Sequence, residues 1–325
     1  MSTALKSALK ITLLFLIGIA ILYFAFRGQN LESIWLEIKV ANLFWVTVAV
    51  VFSLVANVIR ALRWQMLYHS IGYKVGFLNA LFALYIGYLS NLALPRFGEL
   101  IRCKALERQA NIPLFASIGT VITERLFDVL VFFLATVGVV FFQFNLVDEF
   151  LTANVYQGFL EQFATKHIWW IVGIILLMVA FLVLLFYFVK GRFNRRLLRV
   201  YSALKQGLTS YQKLKRKPLF LSYSIGIWLL YLFSIFAAFF SLQSTSGLGL
   251  NTAFTAMVFS GLAMAVPVQG GIGVFHWMMA KCLMLYGIAF TDGLAYATVM
   301  YAIQLLPIML VGTIGFGILF KDKRK

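Results

Sequence analysis

Apolar residues in this chain fall in long blocks divided by short polar connectors, at about 11–26, 40–59, 77–95, 114–142, 168–189, 219–242, 251–268, 274–289 and 294–319. Most blocks approach the ~20 residues with which an α-helix crosses ~30 Å of hydrocarbon. The pattern predicts an all-α polytopic membrane protein, with the chain 1–325 forming one membrane domain. Two stretches interrupt it. One lies near Asn91–Gly98 around Pro95, and the other is Pro267-Val-Gln-Gly270-Gly271-Ile-Gly273. Non-helical backbone at membrane depth is tolerated only where protein or a polar cavity covers it, so each break points to a cavity.

Charge orients the blocks. The connector 190–217 holds ten basic residues and no acidic one, whereas 143–167 holds Asp148, Glu149 and Glu161 against Lys166. The positive-inside rule then places 190–217, the N-terminus, 60–76 and the Lys321–Lys325 tail on the cytoplasmic side. Because 60–76 and 96–113 are both basic yet flank the block 77–95, that block is expected to be re-entrant, over about 77–113. About eight transmembrane helices plus re-entrant segments result if 251–268 and 274–289 cross fully, and six plus two hairpins if they do not. Two broken segments in opposite halves also suit an inverted repeat. The first block follows Lys6 and Lys10 like a signal peptide, but Tyr23-Phe24-Ala25-Phe26-Arg27 lacks a small-x-small cleavage site, so it is expected to remain as a span.

Composition agrees with a lipid solvent: 62% of the residues are hydrophobic and 12% charged, more apolar surface than a soluble domain can hide. The net charge of +17 sits in the connectors, which argues for topology rather than nucleic-acid binding. Cys103 and Cys282 lack a CxxC pair or companion histidines, and His69, His167 and His276 are scattered, so neither a metal site, a cofactor nor a catalytic triad is expected.

Charges inside apolar blocks are the candidates for function. Glu124, Arg125 and Asp128 share the block 114–142, and at ~2.5–3.5 kcal/mol for each unpaired charge near a helix centre they require partners. Arg125 and Asp128 can meet across one helical turn, leaving a surplus carboxylate that calls for an outside partner, a proton or a cationic ligand. Arg96, Gly98, Glu99 and Arg102 follow Pro95 directly; Glu99 and Arg102 are spaced to pair, and a helix starting there would turn free N–H groups towards an anion such as a lipid phosphate. Arg60, Arg63 and Trp64 read either as interfacial anchors or as ligand contacts. Gly270 and Gly271 permit close backbone approach, and Lys281 is placed either to meet a phosphate or to snorkel. A purely structural ion network would explain the same charges without a ligand.

The runs Arg60-Ala-Leu-Arg63-Trp64, Asn91-Leu-Ala-Leu-Pro95-Arg-Phe-Gly98-Glu99-Leu-Ile-Arg102, Glu124-Arg125-Leu-Phe-Asp128 and Pro267-Val-Gln-Gly270-Gly-Ile-Gly273 together resemble the lysylphosphatidylglycerol synthase transmembrane region, or flippase-like, family. The resemblance implies a membrane domain that moves aminoacylated or other anionic phospholipids, or glycolipids, between the leaflets of the cell inner membrane. It also implies a stand-alone branch lacking the soluble aminoacyl-transferase domain, not itself an enzyme, with a lipid-modifying synthase as a separate partner. His276 and Gln304 depart from the acidic and basic residues common at those places in the family, so the headgroup need not be lysyl-phosphatidylglycerol. A proton-coupled carrier of a small soluble anion and a membrane-embedded headgroup transferase remain the competing readings.

Overall fold

The computed structural model describes residues 22–94, 96–110, 112–143 and 195–320. It divides into two compact units, Met1–Thr136 with Leu204–Lys325, and Val137–Ala203. The charged network and the cavity described below lie within the first. The block 168–189, most of 11–26 and the acidic stretch after Gln143 fall outside the described residues.

The helices are α1 (Leu31–Lys39), α2 (Leu43–Ser70), α3 (Phe77–Ala93), α4 (Gly98–Ala110), α5 (Leu114–Phe142), α6 (Arg195–Leu208), α7 (Lys217–Phe239), α8 (Leu250–Ala265), α9 (Val274–Met284) and α10 (Phe290–Phe320). Of these, α2, α5, α7 and α10 are long and apolar enough to cross a membrane. The 28 residues of α2 extend ~42 Å at 1.5 Å per residue. By the same rise α3 and α8, with 17 and 16 residues, reach only ~25 Å. Each of these shorter apolar helices is followed by a break and then by a second helix, α4 or α9, which is the layout expected of broken membrane segments.

Local chemistry fixes the ends. Asn30 caps α1 by accepting from the N–H groups of Glu32 and Ser33 at 3.0 and 3.2 Å, and Asn42 caps α2 by accepting from Phe44 at 3.0 Å. Pro218 stands in the first turn of α7, where its missing N–H costs no helical hydrogen bond. One boundary differs from expectation. The apolar block 40–59 was expected to end in a cytoplasmic connector from residue 60, but α2 runs unbroken through Arg60, Arg63 and Trp64 to Ser70. No Gly or Pro stops it, and the arginines find buried partners, so helix continues where hydropathy falls. The connectors 27–39 and 190–217 likewise contain helices, α1 and α6.

In the core α2 lies along α7, while α10 packs against α3 and α9. Small residues permit the closest crossings, as is usual between membrane helices. Gly119 of α5 meets Gly207 of α6 so closely that a Cβ on Gly119 would lie 2.5 Å from the Leu204 carbonyl oxygen and 2.8 Å from the Gly207 Cα. Gly87 and Gly98 do the same for α3 and α4: a Cβ on Gly98 would fall 2.0 Å from the Gly87 oxygen. Gly98→Ala therefore forces the α3–α4 hairpin apart, and overpacking of ~1–3 kcal/mol is expected as a lowered melting temperature in detergent. An unchanged melt would show that the two helices do not touch there.

A carboxylate on α1 makes stability depend on pH. The Glu37 carboxylate accepts a hydrogen bond from the Ser244 hydroxyl, with Asp292 beside it. Burial outweighs this help and raises the Glu37 carboxyl above its ordinary value. The folded state thus holds that proton more tightly than the unfolded chain, so the contribution of Glu37 to stability is full at low pH and declines as pH rises through the folded pKa. Glu37→Gln should melt at or above wild type at neutral pH, with the difference closing towards about pH 4.

Candidate functional site

Three helices bring seven charged side chains together. Arg60 and Arg63 stand three residues apart on one face of α2 and reach across to α5. Arg60 Nη2 donates to Asp128 Oδ2 at 2.8 Å, and its Nε lies 3.6 Å from Glu124 Oε1. Arg63 Nη2 lies 2.8 Å from Asp128 Oδ1 and donates to Glu124 Oε1 at 3.2 Å. Arg102 of α4 completes the set, its Nη2 3.2 Å from Glu124 Oε2. Arg63 and Glu124 are 0% exposed. The three arginines also face aromatic rings: Arg60 lies 5.9 Å from Tyr231, Arg63 5.7 Å from Phe220 and Arg102 4.5 Å from Trp64. Tyr88 and Ser224 accept the remaining Nη1 groups of Arg60 and Arg63, at 2.8 and 3.0 Å.

A looser pair continues this network. Arg125 Nε lies 3.3 Å from Glu99 Oε1, and Arg125 Nη1 donates to Asp128 Oδ2 at 3.5 Å. The side chains of Arg125 and Glu99 are 37% and 34% exposed, so this end of the network is open. With four arginines against three carboxylates, the assembly retains a positive charge.

That open end borders a cavity of about 630 Å³ lined by Arg60, Arg96, Glu99 and Arg125 with Asn57, Asn91, Tyr88, Trp228, Tyr231, Tyr301 and Gln304. Both breaks contribute to its wall. Gly270, Gly271 and Gly273 all have positive φ, at 57°, 72° and 81°, where a side chain would strain the backbone. Tyr301 donates to the Gly270 carbonyl at 3.1 Å, and Leu92 of α3 touches Gly270. Arg96, with φ 65°, is the non-glycine residue with positive φ among those described. This turn lets its guanidinium donate to the carbonyl of Ala265 at the C-terminus of α8, where a cation and a donor are both favoured. Arg96 thereby ties the first break to the second and adds another positive charge to the cavity.

Several expectations change. Glu99 and Arg102 do not pair with each other: α4 turns Arg102 inward to Glu124 and Glu99 outward to Arg125. The surplus carboxylate of α5 has its partners in α2 and α4, so Arg60 and Arg63 are buried members of the network rather than interfacial anchors. The N-terminus of α4 is not open to an anion at its first residue, because Gly98 N–H donates to Asn91 Oδ1 at 2.8 Å, while the N–H groups of Leu100 and Ile101 go to the Phe97 carbonyl. Lys281 stands apart from the cavity, its ammonium 6.0 Å from the Trp277 ring and 5.6 Å from Phe290. His276 is packed against Phe26, Phe275 and Tyr301. Sequence reasoning also passed over Ser53 and Asn57, although Ser53, Asn57 and Arg60 follow the i, i+4, i+7 spacing of one helical face and form a polar stripe in an apolar helix.

Chemically the site offers guanidinium, amide and hydroxyl groups to an anion. Glu124 and Asp128 are held by arginines, which leaves them poor candidates for a general base. Among the described residues no cluster of three or more His, Cys, Asp or Glu could hold a metal ion. Removing one partner of the buried network, as in Arg63→Ala, is expected to cost ~3–5 kcal/mol by stranding the others. Arg96→Ala gives up one exposed hydrogen bond and should cost no more than ~1.5 kcal/mol. Thermal melts of the two variants in one detergent check the ordering, and equal losses would contradict it.

The sequence profile for the lysylphosphatidylglycerol synthase TM region matches residues 9–312. The chain is also 25% identical over 243 residues to the UPF0104 membrane protein MJ1078 of Methanocaldococcus jannaschii, an alignment covering 72% of this chain and 95% of that one. No solved structure matches.

Proposed function

We propose that this chain, which belongs to the lysylphosphatidylglycerol synthase transmembrane-region family, translocates a lipid with an anionic headgroup, phospholipid or glycolipid, between the leaflets of the cytoplasmic membrane. The observation that carries this reading is the cavity of about 630 Å³ among helices long and apolar enough to cross a membrane, lined by Arg60, Arg96 and Arg125, with Glu99 the one carboxylate among the described lining residues. A single charge at the bilayer centre costs at least ~2.5–3.5 kcal/mol, and the surplus guanidinium charge offsets that cost for a phosphate or carboxylate. Asn57, Asn91, Gln304 and the tyrosines take the place of hydration water on the uncharged part of the headgroup, while the acyl chains remain in lipid. Glu99, partly exposed beside Arg125, is the acceptor for the ammonium of an aminoacylated headgroup. The positive-inside bias of 190–217 supports cytoplasmic N- and C-termini, and a lipid-modifying synthase on a separate chain would supply the substrate.

Reconstitution in liposomes tests this. The leaflet distribution of a panel of headgroup-labelled lipids is followed for wild type, Arg96→Ala and Glu99→Gln, with melts confirming that each protein is folded. Movement of one anionic headgroup class that is lost in folded Arg96→Ala is the expected result. Movement that ignores headgroup charge, or uptake of a soluble anion with no lipid moved, would refute the proposal.

A further inference from the structure

The Glu99–Arg125 pair has a second face. Besides lining the polar cavity, these two residues line a crevice of about 350 Å³ between α4 and α5 whose other walls are apolar. Cys103 and Val121 form its buried floor, and Leu100, Ile122, Leu126 and Val129 stand exposed around it. Since α5 is long and apolar enough to cross a membrane, exposed apolar side chains around the crevice suit contact with hydrocarbon. A polar space and an apolar space therefore share one wall, and that wall is an ion pair.

An amphiphile requires this arrangement: a polar site for the headgroup, an apolar site for a chain, and continuity where head and chain join. The Glu99–Arg125 pair is the part of the network best suited to stand at that junction. Its side chains are about one-third exposed, whereas Arg63, Glu124 and Asp128 are buried with two or more charged partners each, and Arg102 is buried against Glu124. Partly exposed pairs contribute little to stability, much less than the cost of breaking a buried one. An incoming anionic group can replace Glu99 as the partner of Arg125 without disturbing the core.

Resting on the translocation reading for the headgroup, we infer that the α4–α5 crevice is an acyl-chain site, holding one chain of the lipid whose headgroup occupies the cavity, with Glu99 and Arg125 at the head–chain junction. A chain seated there keeps the lipid in register with the cavity while its remaining surface stays in the bilayer. Ile122, at the rim, controls access to the floor.

The test is photolabelling in nanodiscs of phosphatidylglycerol carrying a trace of the same lipid with a diazirine on one acyl chain, with labelled positions read by mass spectrometry. Ile225 and Leu229, exposed on α7, report ordinary surrounding lipid. The wild-type protein should be labelled at Cys103 and Val121 as well as on α7. Ile122→Trp should lose the floor label, keep the α7 label and move lipid several-fold more slowly in liposomes. Leu126→Trp serves as a second obstruction should Ile122→Trp melt. A wild-type floor that stays unlabelled while α7 is labelled overturns the inference, as does a folded tryptophan variant that loses the floor label yet moves lipid at the wild-type rate. If wild type moves no lipid but its floor is labelled and the label is lost in Ile122→Trp, the chain site stands and the translocation reading fails.

Discussion

The fold depends on neutralising Glu124 and Asp128 where water cannot. Three charges in one apolar helix are unfavourable for membrane insertion, and the chain compensates them with arginines from two other helices. Arg60 and Arg63 reach both carboxylates from α2, and Arg102 reaches Glu124 from α4. The arrangement fixes the rotation and depth of all three helices, because a shift of one turn in any of them would strand a charge. Aromatic faces at Trp64, Phe220 and Tyr231 cover the guanidiniums that the carboxylates do not, so the network is both ionic and packed.

The same compensation leaves something over. Four arginines against three carboxylates give a positive remainder, and the network reaches the cavity where Arg125 and Glu99 open onto it. The two breaks in the chain form the adjoining wall. Positive φ at Gly270, Gly271 and Gly273 turns the chain after α8, and Arg96 spans from the first break to the carbonyl of Ala265 at the end of α8. Structure and candidate function thus share residues: a buried ion network supports a partly exposed pair that is accessible to a ligand.

Hydropathy made the membrane class, the broken segments and most span boundaries legible, since residues 114–142 and α5 coincide and the blocks 77–95 and 219–242 differ from α3 and α7 by only a few residues. The extension of α2 past Arg60 was not legible, because hydropathy treats a buried, paired arginine as a solvated one. Nor was the exchange of partners between Glu99 and Arg102. Spacing of three residues permits an ion pair on one helix, but partners on a neighbouring helix compete, and the direction in which α4 presents each side chain decides. Asn57 carried a signal in the Ser53, Asn57, Arg60 stripe. Tyr88, Tyr231 and Tyr301 carried none, as aromatic residues on apolar helices look alike whether they face lipid or a cavity.

The cavity among the long apolar helices is cationic and accessible. Ser260 lines it and is partly exposed. In a protein whose Cys103 and Cys282 are replaced by serine, Ser260→Cys can be titrated with anionic and cationic thiol reagents of equal size. Faster reaction with the anionic reagent, and a weaker preference on adding Arg96→Ala, is what the surplus of guanidinium charge predicts. Equal rates, or a preference for the cation, would contradict it.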